Sequence, residues 1–397
     1  MRSFFNFLLA VPAVLAAPQI NRRQDENTVP GKWIVQINED SPLATVLSTV
    51  QTLAGVQAKH KYEIGTFKGF SFDGDDAVLD ILETVGAIKS VEPDRKVFAS
   101  APVPEAEIDA RALVQQSPTT WGLARISHRA RGANNYIYDN TAGAGSYIYV
   151  VDTGVYTGHQ DFGGRASAGA NFVEGESATD GNGHGTHCAG TTGSTTYGVA
   201  KRANIIGVKV LGSDGSGYNS DVIAGINWAV SNAQQNGRIS RSVISMSLGG
   251  AYDSQSNNAV AQATAAGMFV AVAAGNDGKD ASNYSPASER SACTVGATDI
   301  NDNRASFSNY GSIVDIFAPG VNIQSTWIGS STATNTISGT SMATPHIAGL
   351  AAYLLALEGT RSPAALCSRI QSLATKNTIV NPGSGSPNYL AYNGNGA

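Results

Sequence analysis

Two patterns of apolar residues alternate within the first hundred positions of the chain. Apolar side chains occupy every second position in residues 32–38 and 67–72, which is typical of strands that are buried on one face. They recur at helical spacing in residues 42–54 and 76–85. Strands and helices in this order predict a small α+β unit near the N-terminus.

Beyond Trp121, the apolar positions form short unbroken runs that end in Gly, Asp or Asn. Four runs are typical of strands that are buried on both faces: residues 147–151, 205–211, 243–248 and 268–274. Helical stretches separate them, for example residues 221–233, for which Asn219 or Ser220 would provide the N-cap. This order predicts an α/β fold, a parallel sheet covered by helices on both faces.

The N-terminal residues predict an export signal. Arg2 supplies a positive charge, residues 4–15 form an apolar run, and the small residues Ala16 and Ala17 follow. A membrane anchor is the alternative, but this run is shorter than the roughly 20 residues that span a bilayer. We therefore expect residues 1–17 to be removed and the protein to be secreted.

A segment without apolar periodicity separates the two parts of the chain. Residues 100–110 are rich in Ala, Pro and Glu, and Arg111 follows them. An interdomain hinge would have the same composition, but the export signal favours a linker that is cut during maturation. The predicted parts are residues 18–111, with a folded unit at about 32–100, and residues 112–397.

The overall composition argues against two classes of partner. Charged residues make up 14% of the chain and the net charge is -5, so a basic surface for nucleic acid or an anionic membrane is not expected. The 44 glycines exceed the roughly 7% of an average protein. They cluster beside His184, Asn276 and Ser341, where tight loops would present polar side chains.

The chain has three cysteines, Cys188, Cys293 and Cys367. Export would place them in an oxidising compartment, where one pair can close and one thiol remains. Their spacing alone does not select the pair.

Polar side chains follow several of the predicted strands, at the sheet edge where ligands of parallel α/β sheets bind. Asp152 is one, and Ser247 and Asn276 are others. A partly desolvated carboxylate at position 152 can orient an imidazole, and His184 is flanked by glycines that permit close approach of a substrate. The alternatives are a turn or capping acid at 152 and a metal pair of His184 with His187. The glutamate of a His-Glu-x-x-His metal motif is absent between these histidines.

Ser341 precedes residues 347–355, which are predicted to form a buried helix. A serine at a helix N-terminus lies beside free N–H groups and the positive end of the helix dipole, which favour an oxyanion. Pro345 would then fall in the first turn, where its missing N–H costs least. The side-chain amide of Asn276 can donate to the same oxyanion. A plain N-cap serine and a turn asparagine are the alternatives. The Gly-x-Ser-x-Gly motif of lipases and esterases is broken by Ala343.

Together these segments resemble the subtilisin family of serine proteases, and most closely its fungal, proteinase K-like branch. The segments that carry the resemblance are Trp121-Gly122-Leu123, residues 183–190, Ser247-Leu248-Gly249-Gly250 and residues 339–346. The chain order Asp, His, Ser is also that of the family. The resemblance implies that Ser341 attacks a peptide carbonyl, His184 transfers the proton and Asp152 holds the imidazole. Asn276 and the N–H of Ser341 would form the oxyanion hole.

The resemblance also implies a substrate cleft. Two extended segments would flank a protein or peptide substrate, and a third segment of small residues would line the main specificity pocket. They are Gly215-Ser216-Gly217, Ser247-Leu248-Gly249 and Ala273-Ala274-Gly275, respectively. A wide apolar pocket implies broad specificity with a preference for apolar or aromatic residues before the cleaved bond.

The leading unit is similar to the family's ferredoxin-like inhibitory propeptide. The protein would therefore be a self-processing zymogen, and the enzyme, a monomer, would begin near Ala112. Calcium is the cofactor that the resemblance implies, held by Asp315 and by the backbone carbonyls of Arg290 and Ala292.

The family's disulfide pattern implies that Cys293 pairs with Cys367, one bridge fewer than is usual in this branch. Cys188 is then the unpaired thiol, close to His184 in sequence. We expect it to be a small buried side chain rather than a nucleophile.

Overall fold

The computed structural model describes residues 18–22, 27–99 and 119–395. The predicted export signal, residues 1–17, lies outside these ranges. So do the predicted linker and the expected start of the enzyme, residues 100–112.

The first unit is an antiparallel sheet covered on one face by two helices. In the described residues its strands are β1 Gln19–Ile20, β2 Thr28–Ile37, β3 His60–Ile64, β4 Phe67–Asp73 and β5 Ile88–Ala99, and its helices are α1 Leu43–Ala54 and α2 Asp76–Leu82. The strand order is β3-β4-β2-β5, with β1 parallel to β5. This βαββαβ order is the ferredoxin-like arrangement that was predicted. Its core lies under the helices and includes Trp33, Val35, Val50, Phe70 and Leu79.

Helix α2 is shorter than the apolar spacing predicts. It ends at Leu82, and the next residues form a turn in which the Val85 N–H donates to the Leu82 carbonyl at 3.0 Å. Val85 is nevertheless buried. A turn can therefore bring one more apolar residue into the core, which helical spacing alone does not distinguish from a longer helix.

The second unit contains the remaining elements. In the described residues its strands are β6 Tyr147–Asp152, β7 Ala166–Asn171, β8 Asn204–Lys209, β9 Ser216–Tyr218, β10 Ser242–Met246, β11 Leu248–Ala251, β12 Phe269–Ala273, β13 Tyr284–Ser285, β14 Cys293–Thr298, β15 Ile316–Pro319, β16 Ile323–Thr326, β17 Thr334–Ile337, β18 Thr375–Lys376 and β19 Tyr389–Leu390. Its helices are α3 Trp121–Ser127, α4 His184–Gly193, α5 Asn219–Gln235, α6 Ser254–Ala265, α7 Thr340–Leu357 and α8 Pro363–Leu373.

The main sheet has the order β18-β19-β15-β14-β12-β10-β6-β8-β7, and its strands are parallel except for the β18–β19 pair. Both faces are buried. In β6, Ile148 and Val150 join the core that α4 and α7 cover, while Tyr149 and Val151 join the core under α5 and α6. The predicted parallel sheet with helices on both faces is confirmed.

The predicted N-cap of α5 is wrong. The helix begins at Asn219, and neither Asn219 nor Ser220 caps it with its side chain. The Ser220 N–H instead donates to Asp94 of β5 at 3.1 Å, and the Ser220 hydroxyl donates to the same carboxylate. The cap is thus supplied by the first unit, more than a hundred residues away, where a local sequence pattern does not reveal it.

Helix α7 begins at Thr340, so Ser341 lies at its N-terminus as predicted, but Pro345 lies inside the helix beyond the first turn in which it was expected. A proline inside a helix leaves the carbonyl four residues earlier without its N–H donor. Here the carbonyl is that of Ser341, and it accepts a hydrogen bond from the Ser247 hydroxyl at 2.8 Å instead. Among the described helices, α7 is the one long and apolar enough to cross a bilayer, but 89% of it is buried, as in a core helix.

Candidate active site

Three elements that are distant in sequence bring the candidate catalytic side chains to one edge of the main sheet. Asp152 is the last residue of β6, His184 is the first residue of α4, and Ser341 is the second residue of α7. Each is at most 2% exposed. One sulfur links two of them: Cys188 Sγ lies 4.0 Å from His184 Nδ1 and 3.5 Å from the Ser341 carbonyl.

Asp152 and His184 form a close, buried pair. Asp152 Oδ1 lies 2.7 Å from His184 Nδ1 and also accepts the Thr153 N–H at 2.7 Å. Burial by itself lowers the pKa of His184, but the charge and hydrogen bond of Asp152 outweigh it and raise that pKa well above the ordinary value. The pair therefore stabilises a proton on the imidazole.

The Ser341 hydroxyl donates to the Ser247 carbonyl at 3.1 Å, while the Ser247 hydroxyl donates to the Ser341 carbonyl. His184 Nε2 is buried and has no hydrogen-bond partner among the described residues. Ser341 and Ser247 thus hold each other at the start of α7, and the second nitrogen of the imidazole remains as a proton acceptor.

Asn276 lies beside the start of α7. Its Oδ1 accepts two hydrogen bonds from Thr340, one from the N–H at 2.9 Å and one from the hydroxyl at 2.8 Å. Gly275 before it has a φ of +100°, and a Cβ there would meet Asn309 Nδ2 at 2.4 Å, so only glycine fits this turn. With its oxygen fixed in this way, the amide presents its nitrogen away from Thr340.

The two predicted walls of the substrate cleft pair with the end of β5. On one wall, Gly217 is opposite Val97 and Ser216 is opposite Phe98. The other wall, β11, pairs Leu248 with Ala99 and Gly249 with Phe98. Gly215 and Ser247 are the residues just before these two strands.

Side chains of β5 alternate in this cleft. Val97 is only 3% exposed and packs in a cluster that includes Leu211 and Leu248, whereas Phe98 is 46% exposed. The third predicted segment, Ala273-Ala274-Gly275, follows β12, and its last N–H donates to the Thr340 hydroxyl at 3.2 Å. It therefore lies next to the helix that carries Ser341.

The alternative metal pair of His184 and His187 does not form. His187 Nε2 lies 2.8 Å from the Ile323 carbonyl, and burial lowers the pKa of His187 to about 3. Cys188 is fully buried, and burial raises the pKa of its thiol. Both residues are therefore neutral packing residues beneath the site.

The predicted calcium ligands lie where β14 and α8 are joined. Cys293 and Cys367 are disulfide-bonded there, and Asp315 contacts the same region, accepting the Thr294 N–H at 2.8 Å and the Gln371 amide at 3.2 Å. Burial raises the pKa of Asp315 to about 6. In the described residues this carboxylate has no ion pair, although the charge of Arg290 acts to lower its pKa. A desolvated acid of this kind fits a hard cation.

Sequence reasoning did not assign a role to Thr153, Asp180 or Lys209, which are all buried around the Asp152–His184 pair. Asp180 lies four residues before His184, and an acid just ahead of a helix is the usual signal of a capping residue. Thr153 and Lys209 give no comparable signal, because their partners are distant in sequence.

Comparison with known proteins agrees with this geometry. The model of the subtilase family matches residues 143–396. Subtilisin-like protease 2 of Pseudogymnoascus destructans is 48% identical over 402 residues, covering 98% of this chain and 96% of its own length. The cuticle-degrading protease of Metarhizium anisopliae is 48% identical over 397 residues, 98% of each chain. The crystal structure of a cold adapted subtilisin-like serine proteinase is 45% identical, with a TM-score of 0.66, and covers 70% of this chain and 99% of that one. The chain therefore belongs to the subtilase family and is a serine endopeptidase.

Proposed function

We propose that Ser341 is the nucleophile of this protease, His184 its general base and Asp152 the acid that orients the imidazole. The observation that supports this most is the end of β5, residues 96–99, which lies between β9 and β11 and runs toward Ser341. An extended peptide substrate would be held in the same way, by main-chain hydrogen bonds on both sides.

In this proposal, Ser341 Oγ attacks the carbonyl carbon while His184 Nε2 takes the hydroxyl proton. Nε2 is the acceptor because Nδ1 is bound to Asp152 at 2.7 Å. The imidazolium then gives its proton to the leaving amine, and the acyl group stays on Ser341 until water, activated by the same imidazole, releases it. Asp152 holds Nδ1 in place and stabilises the imidazolium that forms.

The oxyanion would be bound by Asn276 Nδ2 and by the N–H of Ser341. The two hydrogen bonds from Thr340 to Asn276 Oδ1 support this role, because they fix which end of the amide faces the substrate. Ser341 lies in the first turn of α7, at the positive end of the helix dipole. Donors fixed in advance stabilise the charge that develops in the transition state.

We propose broad specificity with a preference for apolar or aromatic residues before the cleaved bond. The walls of the cleft pair with the main chain of β5. Every peptide substrate has the same main chain. The segment 273–275 consists of alanines and glycine and leaves room for a large apolar side chain. Such pockets discriminate weakly, by about 1–3 kcal/mol per methylene.

We also propose that the protein is a secreted, monomeric zymogen, with a signal at residues 1–17, an inhibitory propeptide at 18–111 and the enzyme at 112–397. Three contacts support the inhibitory role: β5 fills the cleft, Asp94 caps α5, and the sheet of the first unit packs its second face against α5 and α6. While these contacts last, no substrate can enter.

The register of β5 also indicates where self-processing begins. Ala99 is opposite Leu248, the residue that follows Ser247, and the Ser247 carbonyl accepts the Ser341 hydroxyl, so β5 ends close to the proposed nucleophile. We therefore propose that the first cut follows residue 100 and that residues 101–111 are trimmed later. Mass spectrometry of early processing products tests this order, and a first product that ends at Arg111 would contradict it.

Calcium is the proposed structural cofactor. Asp315 and the carbonyls of Arg290 and Ala292 would hold it beside the Cys293–Cys367 bridge, and the unpaired, desolvated carboxylate supports this assignment. When bound, the ion would compensate the charge of Asp315 and tie β14 to the neighbouring loop. It takes no part in the proposed chemistry, which the side chains at the other end of the sheet perform.

The variant Ser341→Ala tests the proposed nucleophile. We expect it to accumulate as an uncut precursor and to show no casein hydrolysis. Ser362→Ala is the matched control, because Ser362 is an ordinary N-cap that accepts the Ala365 N–H. Loss of that cap costs about 1 kcal/mol of stability and leaves turnover unchanged. A cut and active Ser341→Ala enzyme would overturn the proposal.

A further inference from the structure

Thr153 lies between the two residues of the catalytic pair, although it belongs to neither. It follows Asp152 at the end of β6 and is fully buried. Its N–H donates to Asp152 Oδ1 at 2.7 Å, on the same oxygen that lies 2.7 Å from His184 Nδ1. Asp152 Oδ2 has no hydrogen-bond partner among the described residues. Within the described chain, the orientation of this carboxylate therefore depends on Oδ1 and on Thr153.

The Thr153 hydroxyl links the end of β6 to the start of α4. It accepts the Gly185 N–H at 2.9 Å and donates to Asp180 Oδ1 at 2.8 Å. Gly185 directly follows His184 in the first turn of α4. One hydroxyl thus connects the residue after the acid with the residue after the base.

Asp180 anchors this hydroxyl. Its Oδ1 also accepts the N–H groups of Asn182 and Gly183, each at 2.9 Å. Its Oδ2 accepts both the N–H and the hydroxyl of Thr186, at 2.9 and 2.6 Å. With five hydrogen bonds, the carboxylate has no freedom to turn, and its charge lies at the N-terminus of α4, where the helix dipole favours it.

The backbone of Thr153 is fixed from the opposite side. Lys209 Nζ donates to the Thr153 carbonyl and to the Leu211 carbonyl, each at 2.8 Å, and lies 3.1 Å from Glu176 Oε2. Lys209 is fully buried on β8, beside the end of β6. The position of Thr153 is therefore set by a second buried charge.

The start of α4 and the end of β6 touch so closely that a small shift of one would displace the other. A Cβ at Gly185 would lie 2.1 Å from the Gly154 carbonyl and 3.2 Å from Asp152 Cβ. No side chain fits between the start of α4 and the end of β6. The lateral position of the helix, and with it the imidazole, then depends on the hydrogen bonds across this contact.

We propose that Thr153 is a positioning residue, whose hydroxyl, anchored by Asp180, sets the geometry between the carboxylate of Asp152 and the imidazole of His184. This inference rests on the catalytic roles proposed above for the pair. Thr153 itself does not touch the reacting atoms. Its effect is exerted through the orientation of the two groups that move the proton.

The test compares Thr153→Val, which removes the hydroxyl and keeps the branched shape, with Thr153→Ser, which restores the hydroxyl. For the valine variant we expect kcat to fall about 10–100-fold with KM nearly unchanged, because a displaced catalytic group costs turnover. The acid limb of kcat should move to lower pH, since a weaker pair stabilises the imidazolium less. The serine variant should recover most of both effects.

Thr191→Val is the matched control. Thr191 is a buried threonine of α4, the helix that begins at His184. Its hydroxyl donates to the His187 carbonyl at 3.2 Å, away from the Asp152–His184 pair. This change lowers the melting temperature without altering kcat or the pH profile. If Thr153→Val behaves like Thr191→Val, the role of Thr153 is only structural and the proposal is wrong.

Two further variants keep the outcomes distinct. If Thr153→Val does not fold, the pH profile of Asp180→Asn decides, and an unmoved acid limb in that variant overturns the inference. An active Ser341→Ala enzyme would instead remove the proposed catalytic roles themselves. An inactive Ser341→Ala with an unaffected Thr153→Val would remove only the role of Thr153.

Discussion

The catalytic pair and the interface with the first unit hold their polar atoms in different ways. Around Asp152 and His184, the partners that position the pair are N–H groups, the hydroxyl of Thr153 and the fully bonded carboxylate of Asp180. These contacts lie within one unit and connect the end of β6 with the start of α4. They are arranged to stay formed through every turnover.

At the interface, several contacts involve groups that gain or lose a proton. His60 Nε2 lies 2.8 Å from Asp221 Oδ1, and the pair is an ion pair only when the histidine is protonated. Asp94 is buried against Ser220, and burial raises its pKa. Burial also raises the pKa of Asp253 to about 7. Asp94 and Asp253 therefore favour the complex when they are protonated.

The difference separates two requirements of the zymogen proposed above. The catalytic geometry must be permanent, while the inhibitory contacts must hold during synthesis and then be released. Hydrogen bonds within one unit suit the first requirement, and buried acids at the interface suit the second, because a change in pH alters the stability of the interface without altering the fold.

The largest effect is expected at Asn276, in the candidate active site. Replacing it with Ala would remove the proposed oxyanion donor, and the loss of such an asparagine from a subtilisin lowers kcat by roughly 10²–10³-fold. KM should change little, because the donor acts on charge that develops only in the transition state. Steady-state kinetics on a peptide nitroanilide measures both constants. A rise in KM at constant kcat would assign Asn276 to ground-state binding.

The next effect concerns the interface and pH. Besides burial, the charges of Glu92 and Asp94 raise the pKa of Asp253, while the Ser256 N–H and Arg95 lower it. A carboxyl with a raised pKa stabilises the complex below its ordinary pKa and loses that contribution as pH rises through about 7. Because a single proton is lost, the dissociation constant of the complex should rise by at most about tenfold per pH unit.

Activation should therefore accelerate between pH 4 and about 7, as Asp253 ionises. The measurement is the rate at which cut precursor becomes active in a series of buffers. Asp253→Asn keeps an N-cap for α6 but cannot ionise, so its rate should depend less on pH. An equally steep dependence in that variant would assign the effect to other groups at the interface.

A smaller effect is expected from calcium removal. A ligand present at 100 times its Kd contributes about 2.7 kcal/mol to the free energy of unfolding. Chelation should therefore lower the melting temperature of the enzyme, and Asp315→Asn should abolish the response to chelator. An unchanged melting temperature after thorough chelation would contradict the assignment of Asp315.

The smallest effect compares two neighbours on β5. Val97→Ala removes buried methyl groups and should weaken inhibition by about tenfold, at roughly 0.8 kcal/mol for each. Phe98→Ala is the control, because nearly half of that side chain is exposed. For both variants, the lag before protease activity appears measures the strength of inhibition. Equal effects of the two changes would mean that main-chain pairing alone holds the strand.

Much of the fold could be predicted because its strands and helices place apolar residues in characteristic patterns along the sequence. The unbroken apolar runs indicated strands buried on both faces, and β6 and β12 have that character. The errors have a common physical cause. Asp94 caps α5 from another unit, and Ser247 satisfies the carbonyl that Pro345 leaves open in α7. Hydrogen bonds between distant segments have no period, so a local pattern cannot indicate them.

Local sequence patterns are limited in the same way at the candidate site. Motifs with their own glycine-rich context identified Asp152, His184, Asn276 and Ser341, and the structure brings all four to one edge of the sheet. Thr153 and Lys209 were missed, because a threonine just after a strand and a lysine at the end of a strand have no distinguishing sequence context. Their importance depends on what they contact.

Strand β5 belongs to two sheets at once, since its first part pairs with β2 and its last residues pair with β9 and β11. In the proposed processing, a cut after β5 would leave the new chain end bound as a product, so each molecule would stay inactive after its own cleavage. The first molecules to shed the fragment can digest fragments that dissociate from others. A population of this protein would therefore switch on after a delay and then nearly all at once, and the delay would shorten as its concentration rises.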